Sequence, residues 1–222
     1  MRRFRPGTST PNSEGNHRMF LVGIAGGSGS GKTTFAGKIA AEIPEEDLVL
    51  LHQDSYYLAA PPEHLRVFSN PNFDHPLAFD WDLLKSHLVA LKQKSAVDVP
   101  TYDFSENRRR EEKTRLGPGR VVILEGIFSL WNEEVRRMVD LKIYLQVDAD
   151  IRITRRLHRD VNERSRTMDS IISQYYETVR PMHYEFLEPT RQFADMVVGE
   201  ETDVAASVVA AKIKEVLRNE FR

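Results

Sequence analysis

The 222-residue sequence contains no cysteine, which excludes disulfides, thiolate metal ligands and cysteine nucleophiles. It also has no apolar run approaching the roughly 18 residues that a bilayer-spanning helix requires, so no membrane partner is expected. Its first residues lack the continuous apolar core of a secretion signal, and the expectation is a soluble, cytoplasmic protein. Charge of one sign is not in excess either: 31 Lys and Arg stand against 33 Asp and Glu, a formal net charge of −2. Such a balance gives no electrostatic drive toward nucleic acid, and none is expected as a partner. What is present is a 41% hydrophobic content, enough for the core of one sizeable domain. Residues 1–18 are mostly Arg, Ser, Thr, Pro, Gly and Asn, a composition that reads as a disordered extension. The folded domain is expected over 19–222.

Apolar runs at Met19–Ala25, Leu48–Leu51, Val121–Leu124, Leu141–Val147 and Ala194–Val198 alternate with amphipathic stretches. That alternation predicts an α/β fold, a parallel sheet flanked by helices. Helices are expected at Thr33–Glu42, Trp81–Lys92, Asp150–Arg159, Met168–Glu188 and Asp203–Arg222. Asp80 is positioned to cap the second, and Pro181 is expected to kink or end the fourth near Arg180. The segment 97–116 reads as a small antiparallel excursion, a flap beside the site. Its run Arg108-Arg109-Arg110 continues into Glu111-Glu112-Lys113, so it reads as a charge-balanced, exposed hairpin face.

The most specific signal is Gly26-Gly27-Ser28-Gly29-Ser30-Gly31-Lys32-Thr33-Thr34, placed between an apolar strand and a helix. This fills the Walker A pattern, in which glycines let successive backbone N–H groups face a phosphate chain. Lys32 adds a point charge near the β and γ phosphates, the helix N-terminus adds its partial positive charge, and Thr33 offers a hydroxyl to Mg²⁺. The apolar strand Val121–Leu124 runs into Glu125, where a carboxylate meets the metal or its waters. The strand Leu48–Leu51 runs into His52-Gln53-Asp54. Asp54 thus reaches the carboxyl end of the sheet, where such folds bind ligands, and it is the candidate general base.

These residues resemble the uridine kinase (uridine-cytidine kinase) family. The similarity extends from Phe20 to Val216. It rests on the phosphate loop, Asp54-Ser55-Tyr56-Tyr57, Asn72-Phe73-Asp74-His75-Pro76, Tyr102-Asp103-Phe104, Glu125-Gly126-Ile127 and the arginine-rich segment after Asp148-Ala149-Asp150. The resemblance implies a P-loop kinase fold with a five-stranded parallel sheet, ATP or GTP as donor with Mg²⁺, a nucleoside 5′-hydroxyl as acceptor, and a homotetramer. By the same resemblance Asp54 is the base, and Asp74 and Arg156, helped by Gln174, hold the ribose hydroxyls. Phe73 and Phe104 flank the nucleobase, Tyr102 bonds its edge, Tyr57 lines the pocket, and Arg166 reaches the base or the phosphates. Where the family usually carries a histidine, this chain has Asn107, whose amide offers both a donor and an acceptor.

Six arginines, Arg152, Arg155, Arg156, Arg159, Arg164 and Arg166, fall in one short stretch with Asp160 and Glu163 as its acids. The expectation is an arginine-rich lid at about 156–168, with Arg159 and Arg164 on the transferring phosphoryl group. Two other readings stay open: a related kinase for nicotinamide riboside, pantothenate or ribulose phosphate, and a nucleotide-binding switch.

Overall fold

A computed structural model describes residues 19–67, 71–104, 106 and 108–219. The extension 1–18 and Asn107 lie outside the described residues. Strand β1 (Phe20–Gly26) is followed by helix α1 (Lys32–Ala40), β2 (Leu48–His52), α2 (Trp81–Lys92), and the pair β3 (Val97–Asp103) and β4 (Arg108–Leu116). Then come β5 (Val121–Glu125), α3 (Glu133–Met138), β6 (Leu141–Leu145), α4 (Ala149–Arg164) and α5 (Met168–Gln174). Past a further helical stretch that contains α6 (Arg180–Met182), the chain closes with β7 (Met196–Val198) and α7 (Asp203–Asn219).

The main sheet has the order β2-β5-β1-β6-β7 and every pairing in it is parallel. Side chains alternate across it, so Leu21, Ala25, Val122, Leu124 and Tyr144 join one apolar layer. Val22, Ile24, Val121, Ile123 and Leu145 join the other. Burial on both faces is why these strands read as unbroken apolar runs. The first layer is covered by α2 through Trp81, Leu84, Leu88 and Leu91. The second is covered by Phe35 and Ile39 of α1 and by Val209, Ile213 and Leu217 of α7. Each such side chain contributes roughly 1.5–3 kcal/mol on leaving water. Asp80 caps α2 as expected, accepting from Leu83 N at 3.0 Å, and β3 and β4 form the expected antiparallel hairpin.

Three expectations are corrected. The helix expected to kink or end near Arg180 does not end there: α5 widens into a π turn at Tyr175–Val179, and past Pro181 a second π turn spans His183–Leu187. A wider turn moves the carbonyls that the proline ring would strike and needs no N–H from residue 181. Helix α4 extends to Arg164 rather than Arg159. The hairpin face is not uniformly exposed: Arg109 turns inward and donates to Tyr57 O at 2.8 Å, Tyr56 O at 3.2 Å and Asp80 Oδ2 at 3.1 Å. One guanidinium thereby latches the hairpin to the domain.

Candidate active site

Register dictates what meets at the carboxyl edge of the sheet. Glu125 ends β5 level with Ile24 of β1 and His52 of β2, so the phosphate loop, Glu125 and the turn carrying Asp54 emerge side by side. The loop is held by Ser30 N donating to Gly27 O and Phe35 N to Gly31 O. Gly29 and Gly31 adopt φ of 81° and 85°, the left-handed region that only glycine occupies without strain. At Gly29 a Cβ would lie 2.2 Å from the Arg152 backbone oxygen, so α4 packs directly beneath the loop. Arg152 itself is buried and donates from Nε to Val147 O at 3.0 Å.

Loop, sheet edge, hairpin and α4–α5 enclose a cleft of about 1430 Å³. Ser28, Gly29, Gly31, Lys32, Thr33 and Thr34 line its floor, and Asp54 and Glu125 its near side. Gly26, Gly27 and Ser30 are not on this surface; they shape the loop from behind. Burial pulls the Lys32 ammonium below the usual lysine range, while the carboxylates of Glu125 and Asp54 pull it back. Asp54 moves the other way. Burial, then the Glu125 charge, raise its carboxyl above the usual range against the pull of Lys32, Arg164 and Arg159. Asp54 and Lys32 therefore share one site, and Asp54 has the raised basicity that proton acceptance requires.

Glu125 Oε1 accepts from Thr33 Oγ1 at 3.1 Å and lies 2.7 Å from His52 Nδ1. Burial raises this carboxyl, but the hydrogen bond from His52 and the charge of Lys32 outweigh it and hold the acid ionised. Its Oε2 is buried without a hydrogen-bond partner among the described residues. An ionised carboxylate with an unspent oxygen beside a threonine hydroxyl fits a hard divalent cation or its waters.

On the far side, Asp74 Oδ2 accepts from Gln174 Nε2 at 3.0 Å and Thr178 Oγ1 at 2.6 Å. Gln174 Oε1 in turn accepts from Arg156 Nη2 at 2.9 Å and Arg166 Nη1 at 2.5 Å, and Arg156 Nη1 reaches Ser28 Oγ at 2.9 Å. Asp74, Gln174, Arg156 and Arg166 thus form one network that ends on the phosphate loop. Buried Asn72 sets the turn before Asp74 by accepting from Asp74 N at 3.0 Å. Tyr57 anchors an aromatic cluster, with ring centroids 5.9 Å from Phe73, 5.3 Å from Tyr102 and 6.5 Å from Phe104. The Tyr102 hydroxyl is buried without a partner among the described residues, and burial pushes its pKa up to about 12, so it stays a neutral donor. Arg159 and Arg164 line the cleft, and the Arg164 guanidinium lies 4.4 Å over the Phe104 ring.

Two residues escaped the sequence reading. Gln53 is fully buried, and its Oε1 accepts from Phe128 N at 2.8 Å, fixing the turn that presents Asp54. Asp160 is fully buried among the arginines. Gln53 stands between His52 and Asp54 and Asp160 in a charged helix, so neither neighbourhood signals burial.

A doubly covered parallel sheet, a glycine cradle with its lysine, and acids at neighbouring strand ends define a phosphate-loop kinase. The sequence profile of the phosphoribulokinase / uridine kinase family matches residues 21–207, and the chain belongs to that family. It is 44% identical over 202 residues to a uridine kinase of Deinococcus deserti, covering 90% of this chain and 98% of the relative. A uridine kinase of Clostridium perfringens is 45% identical over 202 residues, with 90% and 97% covered. In fold the chain is similar to phosphoribulokinase from Rhodobacter spheroides (TM-score 0.57, 13% identity, 82% and 70% covered). D-glycerate 3-kinase from Cryptococcus neoformans is another neighbour (TM-score 0.58, 16% identity, 83% and 87% covered).

Proposed function

We propose that the protein transfers the γ-phosphoryl group of ATP or GTP to the 5′-hydroxyl of uridine or cytidine, forming the monophosphate in pyrimidine salvage. The observation that carries this reading is Asp54: its carboxylate, basic through burial, shares one cleft with Lys32 and with an aromatic and Asp74-centred pocket. Asp54 takes the proton of the 5′-hydroxyl as that oxygen bonds to the γ-phosphorus, and the bond from phosphorus to the β–γ bridging oxygen breaks, releasing the diphosphate. Asp74, Arg156 and Gln174 orient the ribose so that the hydroxyl faces Asp54. Phe73 and Phe104 hold the base between them, Tyr102 donates to its edge, Tyr57 closes the pocket behind it, and Arg166 braces Gln174.

Thr33 and Glu125 would hold Mg²⁺, which supplies charge neutralisation across the β and γ phosphates. Arg159 and Arg164 meet the charge that builds on the transferring group, and a closed arginine segment keeps out water that would otherwise take the phosphoryl group.

A cytoplasmic homotetramer belongs to the same reading. Met168, Ile172 and Tyr176, exposed at 59%, 37% and 65%, form a four-residue-spaced apolar stripe that supports self-association, which sedimentation at micromolar protein will measure. No helix among the described residues is long and apolar enough to cross a membrane.

The test is an acceptor panel with ATP and Mg²⁺: uridine, cytidine, nicotinamide riboside, pantothenate and ribulose 5-phosphate. Highest kcat/KM on a pyrimidine nucleoside is expected. Highest kcat/KM on any other member, or hydrolysis independent of all of them, would overturn the proposal.

A further inference from the structure

We infer that Asp160 is a positioning residue for phosphoryl transfer, one buried carboxylate that orients the arginines of both the donor and the acceptor side of the cleft. The inference rests on the proposed role of Arg159 and Arg164 at the transferring phosphoryl group. Asp160 has no exposed surface, yet it belongs to the helix segment richest in positive charge. Its two oxygens divide the arginines by substrate. Oδ1 accepts from Arg159 Nε at 2.8 Å, with Arg159 Nη2 also at 2.8 Å and Arg164 Nη1 at 3.6 Å. Oδ2 lies 3.6 Å from Arg156 Nε and 3.7 Å from Arg166 Nη1, the two arginines that reach Asp74 through Gln174.

The backbone repeats the arrangement. Ser165 takes a left-handed φ of 52°, and the carbonyl of Asp160 accepts from Arg166 N at 3.2 Å. Arg164, still on α4, faces the carboxylate one turn on, and the chain leaving the helix doubles back and returns Arg166 to it. Four guanidinium groups converging without an anion would repel one another toward solvent. With one, they hold fixed directions and keep donors free, since Arg159 and Arg164 remain 32% and 28% exposed. Fixed donors around developing charge are what transition-state stabilisation requires.

The Oδ2 side is unfinished. Asp160 Oδ2 and Arg156 Nε are both buried without a hydrogen bond among the described residues, facing each other at 3.6 Å. A sub-ångström approach completes that bond and draws the acceptor-side arginines toward the phosphoryl-side pair.

The experiment is Asp160→Asn, which keeps shape and removes charge, read as steady-state uridine phosphorylation with ATP and as thermal midpoint. Loss of orientation is expected to lower kcat about 100-fold, the effect of an ångström-scale misplacement, in protein that still melts cooperatively and still binds ATP. In an R159A/R164A background the same substitution is expected to cost less than about threefold, because coupled residues are not additive. A purely structural Asp160 would lower the thermal midpoint, leave kcat per folded molecule unchanged and act additively; either of the last two results overturns the inference.

Should Asp160→Asn fail to fold, Arg159→Lys decides. A fork held by a carboxylate is not replaced by a point charge, so R159K is expected to lose nearly as much kcat as R159A, and wild-type kcat in R159K overturns the inference. Unchanged kcat in R159A overturns the phosphoryl reading and this inference with it. A large loss in R159A beside unchanged kcat in D160N overturns the inference alone.

Discussion

Gly29→Ala perturbs the phosphate cradle by a single methyl group, and the structure sets the size of the effect. The backbone there has φ of 81°, which costs a residue bearing a Cβ about 1–2 kcal/mol. The new Cβ would lie 2.2 Å from the Arg152 oxygen, where ordinary contact begins at 3.4 Å. Loop and α4 must therefore part by 3.4 − 2.2 = 1.2 Å. That contact is with backbone, so no side-chain rotation relieves it. A displacement of about 1 Å at reacting groups costs roughly 100-fold in rate. Strain and repulsion together lower stability by about 2–4 kcal/mol, and at about 2–4 °C per kcal/mol for a domain this size the thermal midpoint falls by roughly 4–16 °C.

The control is Gly37→Ala in α1, where a Cβ meets nothing within 4 Å. Alanine there is expected to add about 0.5–1 kcal/mol to stability, because glycine weakens a helix interior by that amount. A coupled ADP-release assay and a melting curve on both variants are sufficient. Activity of Gly29→Ala within threefold of wild type would refute the account of the cradle, and so would a Gly37→Ala loss matching that of Gly29→Ala.

Asp54→Asn is expected to leave less than about a tenth of wild-type transfer while retaining ATP binding. Because burial raises the Asp54 carboxyl in the folded state, this group favours the fold below its unfolded pKa and loses that contribution as pH rises through its folded value. Asp54→Asn should therefore melt higher than wild type at neutral pH, and the acid limb of wild-type kcat/KM should lie above the ordinary aspartate range; a lower midpoint, or a limb at the ordinary aspartate value of about 3.9, would contradict the assignment. Arg109→Ala removes the latch from the hairpin to Tyr56, Tyr57 and Asp80. It should cost about 1–3 kcal/mol and raise nucleoside KM more than ATP KM, which parallel titrations of the two substrates will measure. Asn107→His is expected to raise kcat/KM on whichever pyrimidine nucleoside the native enzyme uses less well, and an unchanged ratio of the two would remove Asn107 from base recognition.

Much of this site could be read before folding because its chemistry is local in sequence. The glycine cradle, Asp54 after a strand and Asp74 after Asn72-Phe73 each sit in a short segment, and the structure brings all three to one cleft. The sheet was legible for a related reason, since strands buried on both faces show as continuous apolar runs. Helix α3 was not: it has six residues and only Val135 fully buried, too few for a period. Pro181 marked an irregularity but not an end, because the rule that a proline stops a helix holds for α-helical spacing and the chain here adopts π turns on either side. Arg109 and Asp160 show what pattern cannot carry. Both lie in charged runs that look solvated, and each is turned inward by partners far away or by a reversal of the chain that only the tertiary structure supplies.

The most direct test of phosphoryl transfer from the cradle to a sugar hydroxyl beside Asp54 is phosphorus and proton NMR of the products formed from uridine, ATP and Mg²⁺. One 5′-monophosphate for each ADP released is the result this account predicts. Inorganic phosphate in place of nucleotide, or a phosphate on the 2′ or 3′ oxygen, would contradict it.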